Sequence, residues 1–240
     1  MPSTSFAFKQ FVINQDKCAM KVGTDAVLLG AWVFPNGSKQ ILDIGTGTGV
    51  VALMLAQKTD AHIDAIDIDE NAFLQATQNV SESKFVNQVS VTHSSLQEYS
   101  KTTSKKYNLI VTNPPYFEQS LKSSDEQRSF ARHADVLPFE ELIEGVTKLL
   151  DPKGKFCLIL PKQEAELFVT VAKQHNLFLT KLLRVRTKPE ADTEKRHLMQ
   201  FEFKENGYFE STLIIENAKH FDYTEEYKNL TEGGCENCGS

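Results

Sequence analysis

Long apolar runs are absent from this sequence. No stretch approaches the roughly 20 residues that a membrane-spanning helix needs, and the start, MPSTSFAFKQ, has neither the charged opening nor the apolar run of a secretory signal. A basic excess is absent too. The formal net charge is −6, which argues against a general nucleic-acid binder and leaves room for a local basic face. Cysteine is scarce, with Cys18, Cys157, Cys235 and Cys238 in 240 residues. That excludes a disulfide scaffold and makes a cytoplasmic location the expectation. Cys157 sits in an apolar run and reads as a buried thiol. The pair in CENC is half of a zinc site whose second half is missing, so no metal is expected, and residues 231–240 read as a flexible tail, native or appended.

What is present is enough for one sizeable core: 40% apolar and 24% charged residues, ordinary for a globular chain. From residue 40, strand-like and helix-like segments alternate. ILDIG (41–45), IDAIDID (63–69), VSVT (89–92), YNLIVT (107–112) and FCLILP (156–161) read as strands. Helices are expected over 50–58, through a face of Phe73, Ala76, Thr77 and Val80, through Phe139, Leu142, Ile143, Val146 and Leu149, and over 163–175. DPKGK (151–155) reads as a turn. FLTKLLRVR (178–186) and HLMQFEF (197–203) follow as strands, the second alternating as a half-buried strand would, and LIIE (213–216) suggests a short edge strand. The alternation predicts an α/β fold with a mostly parallel sheet, helices on both faces and an antiparallel edge strand. Residues 1–35, with short strands around NQDK and a helix over 25–33, read as an extension packed on a main domain of 36–230.

Two motifs carry chemistry. The first is DIGTGTGV (43–50), which joins a strand to a helix with glycines at 45, 47 and 49. Gly45, Gly47 and Gly49 let the backbone turn tightly and approach a ligand, at the strand ends where open α/β sheets bind ligands. Asp67 closes the next strand, placed to accept both hydroxyls of a ribose. The loop is not the dinucleotide GxGxxG, and Asp43 would repel a phosphate at the helix N-terminus while welcoming an ammonium group. This combination resembles the class I methyltransferases. The resemblance implies a Rossmann-like, seven-stranded sheet whose last strand is antiparallel, and S-adenosyl-L-methionine as the methyl donor. Where that pattern places an acidic residue near adenine, this chain has HSSLQEY (93–99), so Ser95 or the backbone at Leu96 takes that position. His93 reads as a structural loop residue.

The second motif is NPPY (113–116), directly after an apolar strand. An amino group conjugated to a ring is a poor nucleophile. It becomes a better one when its hydrogens are held by acceptors, here the Asn113 side-chain oxygen and the Pro114 carbonyl. Pro114 and Pro115 keep the corner stiff, so the acceptors stay aimed. Tyr116 or Phe117 would stack on a flat substrate and hold it in line. NPPY resembles the motif of amino-methyltransferases that act on adenine or on glutamine amides.

The segments FAFKQFVINQDKCAMKVGTDAVLLGAWV (6–33), LDIGTGTGVVALMLAQKT (42–59), NPPYF and ARH (131–133) together resemble the bacterial tRNA1(Val) (adenine-N6)-methyltransferases. That resemblance implies N6-methylation of the adenosine 3′ of the anticodon (position 37) and an anticodon stem-loop as partner. It also makes KVGTDA (21–26) a pocket segment, with Lys21, Gly23, Thr24 and Asp25 as cofactor-side candidates. A plain helix N-cap at Thr24 is compatible with that role. Substrate candidates are Arg128, Arg132 and His133 after the corner, and Arg184, Arg186 and Arg196 in a stretch, 181–204, with seven basic residues against four acidic. The polar loop 118–127 is expected to order on RNA. The alternatives are a glutamine-N5 or ribosomal guanine-N2 methyltransferase and a non-catalytic nucleoside-binding scaffold.

Overall fold

The structure, a computed structural model, describes residues 5–18, 21–115, 138–190 and 194–232. The expected positions Tyr116, Phe117, Arg128, Arg132 and His133, the loop 118–127 and the CENC pair lie outside the described residues.

The chain opens with a hairpin, β1 (Ser5–Ala7) and β2 (Val12–Asn14), which pair antiparallel. Its turn is Phe8–Phe11, closed by Phe8 N–H donating to the Phe11 carbonyl at 2.9 Å. NQDK follows the second strand instead of separating the two, because the apolar Phe8 and Phe11 turn inward and stack. Helix α1 (Thr24–Trp32) comes next, capped by the extended Gly23 and not by Thr24. Then strands and helices alternate: β3 (Gln40–Ile44), α2 (Val50–Ala56), β4 (His62–Asp67), α3 (Glu70–Ser81), β5 (Val89–His93), α4 (Leu96–Thr102), β6 (Tyr107–Thr112), α5 (Phe139–Leu149), β7 (Leu150–Pro161), α6 (Lys162–Gln174), β8 (Phe178–Arg186), β9 (Arg196–Glu202), β10 (Phe209–Ile214) and α7 (Glu225–Thr231). None of the described helices is long and apolar enough to cross a membrane.

The main sheet has the order β10-β8-β9-β7-β6-β3-β4-β5. The α/β fold is as expected, with details that the pattern did not carry. The one strand antiparallel to both neighbours, β9, is wedged between β7 and β8, and an eighth strand, β10, runs parallel to β8 at the edge. An internal strand is covered on both faces. Leu198 therefore packs into one core and Met199 and Phe201 into the other, where a half-buried strand was expected. DPKGK is absorbed into β7, with a register shift opposite Tyr107 and Leu109. Gly154 is required there, since a Cβ would come within 2.8 Å of the Tyr107 carbonyl oxygen.

Two apolar layers sandwich the sheet. One buries the hairpin, α1, α2 and the Tyr227 of α7 against residues such as Ile41, Ile63, Leu109 and Cys157. The other buries α4, α5 and α6 against Leu42, Ile66, Ile110 and Leu158. Helix α5 follows its predicted face, burying Leu142, Ile143, Val146 and Leu149. Helix α3 does not: it buries Ala72, Gln75, Ala76, Asn79 and Val80, and Thr77 is exposed. The extension packs directly on the sheet layer, with Leu28 and Leu29 fully buried.

Candidate active site

Parallel register fixes the site. Ile44 pairs with Ile66 on one side and with Thr112 on the other, so the ends of β3, β4 and β6 share one edge. The glycine loop follows β3, Asp67 ends β4, and Asn113 follows β6.

The loop is folded tightly. Gly45 and Thr46 N–H groups both donate to the Ile66 carbonyl, at 2.9 and 3.0 Å, and Gly49 N–H donates to Thr46 O at 2.9 Å. Gly45, Gly47 and Gly49 have φ of 67°, 58° and 83°, the left-handed region that favours glycine. At Gly45 and Gly47 an added Cβ would meet nothing within 4 Å, whereas at Gly49 it would touch Ala76 at 3.5 Å. Gly49 therefore packs against α3, while the first two leave open space above the loop.

Both predicted acids border this loop. Asp43 is 1% exposed and accepts a hydrogen bond from the Thr46 hydroxyl at 2.6 Å. Burial, reinforced by the neighbouring Asp67 charge and only partly opposed by Thr46, pushes its pKa up to about 7. Asp67 Oδ2 accepts from Gly47 N–H at 2.7 Å and Oδ1 from Asp69 N–H at 3.0 Å. Burial raises its pKa as well, against those two donors. Two neighbouring carboxylates with raised pKa values, and no basic side chain among the described groups that shift them, form a site suited to a cationic ligand. Ile68, 70% exposed, stands beside Asp67 and offers an apolar face to a flat ring. Sequence reasoning passed over it; an isoleucine between two aspartates at a strand end was the available signal.

Ser95 has a structural duty. It caps α4, accepting from Glu98 N–H at 3.1 Å, and Leu96 is buried against Gly145, where a Cβ would clash at 2.6 Å. His93, expected in a loop, is the last residue of β5; its ring stacks on Phe73 at 5.5 Å and Nε2 lies 2.9 Å from the Ile68 carbonyl oxygen.

At the corner after β6 Pro114 is buried and Pro115 exposed. The Asn113 side-chain oxygen is buried and accepts no hydrogen bond among the described residues. A buried acceptor without a donor is costly; atoms of Gln40, Gln57 and Gln75 likewise lack a partner among the described residues, and what marks Asn113 as a candidate for a substrate contact is its place after β6, beside the end of β3 and its glycine loop. Thr112 anchors the corner by donating to the Ile44 carbonyl at 2.8 Å.

The segment 21–26 is held by its own contacts. Lys21 donates to the Gln15 carbonyl, and Val22 N–H donates to Gln15 Oε1 at 2.8 Å. Asp25 receives Arg196 Nε at 2.7 Å, which joins a cofactor-side candidate to a substrate-side one. Arg184 is likewise engaged, with Nη1 3.2 Å from Glu194 and Nε 3.0 Å from Glu210, and Arg186 is half-buried. Asn79, fully buried, was not anticipated. Its amide donates to the carbonyls of Asn14 and Thr48, both at 2.8 Å, and accepts from Asn14 N–H at 2.9 Å. It thereby ties the glycine loop to the N-terminal hairpin.

Residues 19–167 match the family model described as the methyltransferase small domain. Two curated relatives are named tRNA1(Val) (adenine(37)-N6)-methyltransferase. The one from Bacteroides thetaiotaomicron is 47% identical, covering 96% of this chain and 97% of the relative. The one from Flavobacterium psychrophilum is 46% identical, covering 95% and 97%. Among solved structures, one described as a predicted O-methyltransferase from Agrobacterium tumefaciens has the same fold, with a TM-score of 0.70 at 17% identity over 88% of this chain and 96% of the other.

Proposed function

The chain belongs to the tRNA1(Val) (adenine(37)-N6)-methyltransferase family, and from that premise we propose that it methylates N6 of adenosine 37 in a valine tRNA, with S-adenosyl-L-methionine as donor. The observation that carries the reading is the buried Asn113 oxygen, which accepts no hydrogen bond among the described residues, at the end of the strand beside the glycine loop. The family relationship, with near-complete coverage of the relatives, favours adenine in tRNA over a glutamine amide or ribosomal guanine.

In this mechanism Asp67 would hold the cofactor's ribose through its carboxylate, and the exposed Ile68 would hold the adenine. Asp43 faces the cofactor's ammonium group through the loop. The open space over Gly45 and Gly47 would admit the cofactor, which would supply an electrophilic methyl. Asn113 Oδ1 and the Pro114 carbonyl accept the N6 hydrogens and turn the nitrogen lone pair toward that methyl. No strong base is needed, since the methylated cationic amine sheds its proton readily. Tyr116 or Phe117 stacks on the base once it has left the anticodon loop, where unstacking is cheap. A cytoplasmic location belongs to the same proposal.

The test is incubation with labelled S-adenosyl-L-methionine and unmodified total tRNA, followed by nucleoside mass spectrometry. N6-methyladenosine confined to valine tRNA is the expected product. Label in ribosomal RNA or a protein glutamine would move the substrate, and cofactor binding without label anywhere would leave a scaffold.

A further inference from the structure

One cluster on the catalytic edge has no part in the chemistry just described. Three donors from three elements converge on the Glu194 carboxylate. His197 of β9 approaches at 2.9 Å, Arg184 of β8 at 3.2 Å and Lys162, the first residue of α6, at 3.6 Å. Burial would raise the Glu194 pKa, but His197, Arg184 and Lys162 hold it down at about 2. The cluster therefore favours an anion strongly. It is also reachable from solvent: the Lys162 and Arg184 side chains are 44% and 31% exposed.

Its position follows from register. Lys162 succeeds Pro161 at the end of β7, Pro161 pairs with Arg196, and Arg184 pairs with His197. This is the edge that carries Asn113, and Arg184 lies three strands from β6, roughly 15 Å away at the usual strand spacing. The Arg184 guanidinium turns Nη1 to Glu194 while its Nε meets Glu210 at 3.0 Å; with the Lys162 ammonium it presents two cations to the Glu194 anion, a pairing that also suits a phosphate.

We propose that Lys162, Arg184 and His197 form a site for a backbone phosphate of the substrate RNA, and that Glu194 occupies it in the free protein as a competing carboxylate. This rests on the tRNA reading above. Replacing one anion by another leaves no cation unpaired, so the site can open without a large penalty. It also rejects stray anions, because an isolated phosphate must displace a carboxylate attached to the chain, whereas an anticodon stem-loop seated at Asn113 delivers its phosphate at high effective concentration. A protein of net charge −6 thereby gains an RNA contact without general affinity for polyanions.

The opposing account is that Glu194 merely ties α6 to the sheet, and the two differ in sign. If Glu194 competes with phosphate, Glu194→Gln binds an anticodon stem-loop roughly 3- to 10-fold tighter, and its plot of log affinity against log salt steepens by about one. Inorganic phosphate, at matched ionic strength, then raises the melting temperature of Glu194→Gln and not that of the unsubstituted protein. RNA affinity that is unchanged or weaker in a variant with native circular dichroism and cofactor affinity overturns the proposal. Should Glu194→Gln fail to fold, Arg184→Gln and Lys162→Gln decide: each must weaken RNA binding severalfold and flatten the salt slope by about one, and unchanged RNA affinity overturns it. Methyl transfer to tRNA by the unsubstituted protein is measured alongside. Its absence breaks the function reading, while transfer with an unresponsive Glu194→Gln breaks only the phosphate site.

Discussion

Strand β4 holds two buried aspartates three residues apart, and the fold treats them in opposite ways. Asp64, toward the amino end, accepts from Lys105 Nζ and Tyr107 Oη, both at 2.7 Å, and lies 3.2 Å from His62 Nε2. Tyr107 is in turn joined to Tyr99 at 2.7 Å. Burial would raise the Asp64 pKa, but these partners outweigh it and the pKa is lowered. At the carboxyl end Asp67, with Asp43 beside it, has a raised pKa and no counter-cation among the described groups that shift it. The charge of Asp64 is consumed inside the fold. Among the described residues no such cation shifts Asp43 or Asp67, and the Asn113 oxygen accepts no hydrogen bond. Polar groups of the same kind, equally buried, are structural where their partners are present, and at the carboxyl end of the sheet they are the candidates for receiving a ligand.

The largest effect expected from this contrast is at Asn113. Asn113→Ala should lower methyl transfer by on the order of 10³ and leave cofactor affinity within about threefold, read from single-turnover rates and calorimetry. Transfer that survived would remove the acceptor from the mechanism. Next is Asp43→Asn, which should weaken cofactor binding by about 10- to 100-fold while stabilising the free protein at alkaline pH. The native pKa of about 7 lies above the ordinary 3.8, so the folded state keeps a proton that the unfolded chain releases. Stability is therefore fullest below about pH 4 and is lost as pH rises toward 7, by up to roughly 4 kcal/mol for a shift of this size. The melting-temperature advantage of Asp43→Asn should widen between pH 5 and pH 8. A constant gap would mean that Asp43 is ionised throughout and that the two ends of β4 are less different than they look.

The sequence exposed most of the functional end, because backbone geometry there is written in residue types. Gly45, Gly47 and Gly49 mark left-handed positions, Asp43 lies one residue from the end of β3 and Asp67 closes β4, and the prolines of NPPY follow the end of β6. The rest was hidden for physical reasons. Helix α4 has only seven residues, too few for a period to emerge from LQEYSKT, and the polar look of KTTSKK masked its end. Helix α7 was missed for the same brevity. On α3, Gln75 and Asn79 are buried although polar; Gln75 Oε1 accepts from Lys17 N–H beyond the hairpin, and Asn79 binds backbone groups of Asn14 and Thr48, partners which no local pattern announces. The Asp64 network joins residues more than 40 positions apart, and the Arg196–Asp25 pair spans 171. Contacts of that range appear only once the sheet order is known.

The smallest effect tests the structural half of the contrast. Tyr107→Phe removes the hydroxyl that donates to Asp64 and meets Tyr99, while its ring stays in the core. Asp64 then keeps Lys105 and His62, and Tyr99 is left with a buried hydroxyl short of a partner. The cost should be about 1–3 kcal/mol, seen as a fall of several degrees in melting temperature for a chain of this size. Tyr107 begins β6 and Asn113 follows its end, roughly 20 Å away along the strand, so turnover and cofactor affinity should stay within twofold. A variant that kept its melting temperature but lost tenfold in methyl transfer would invert the assignment. The Asp64 network would then set the geometry of the corner, and the two ends of the sheet would act as one.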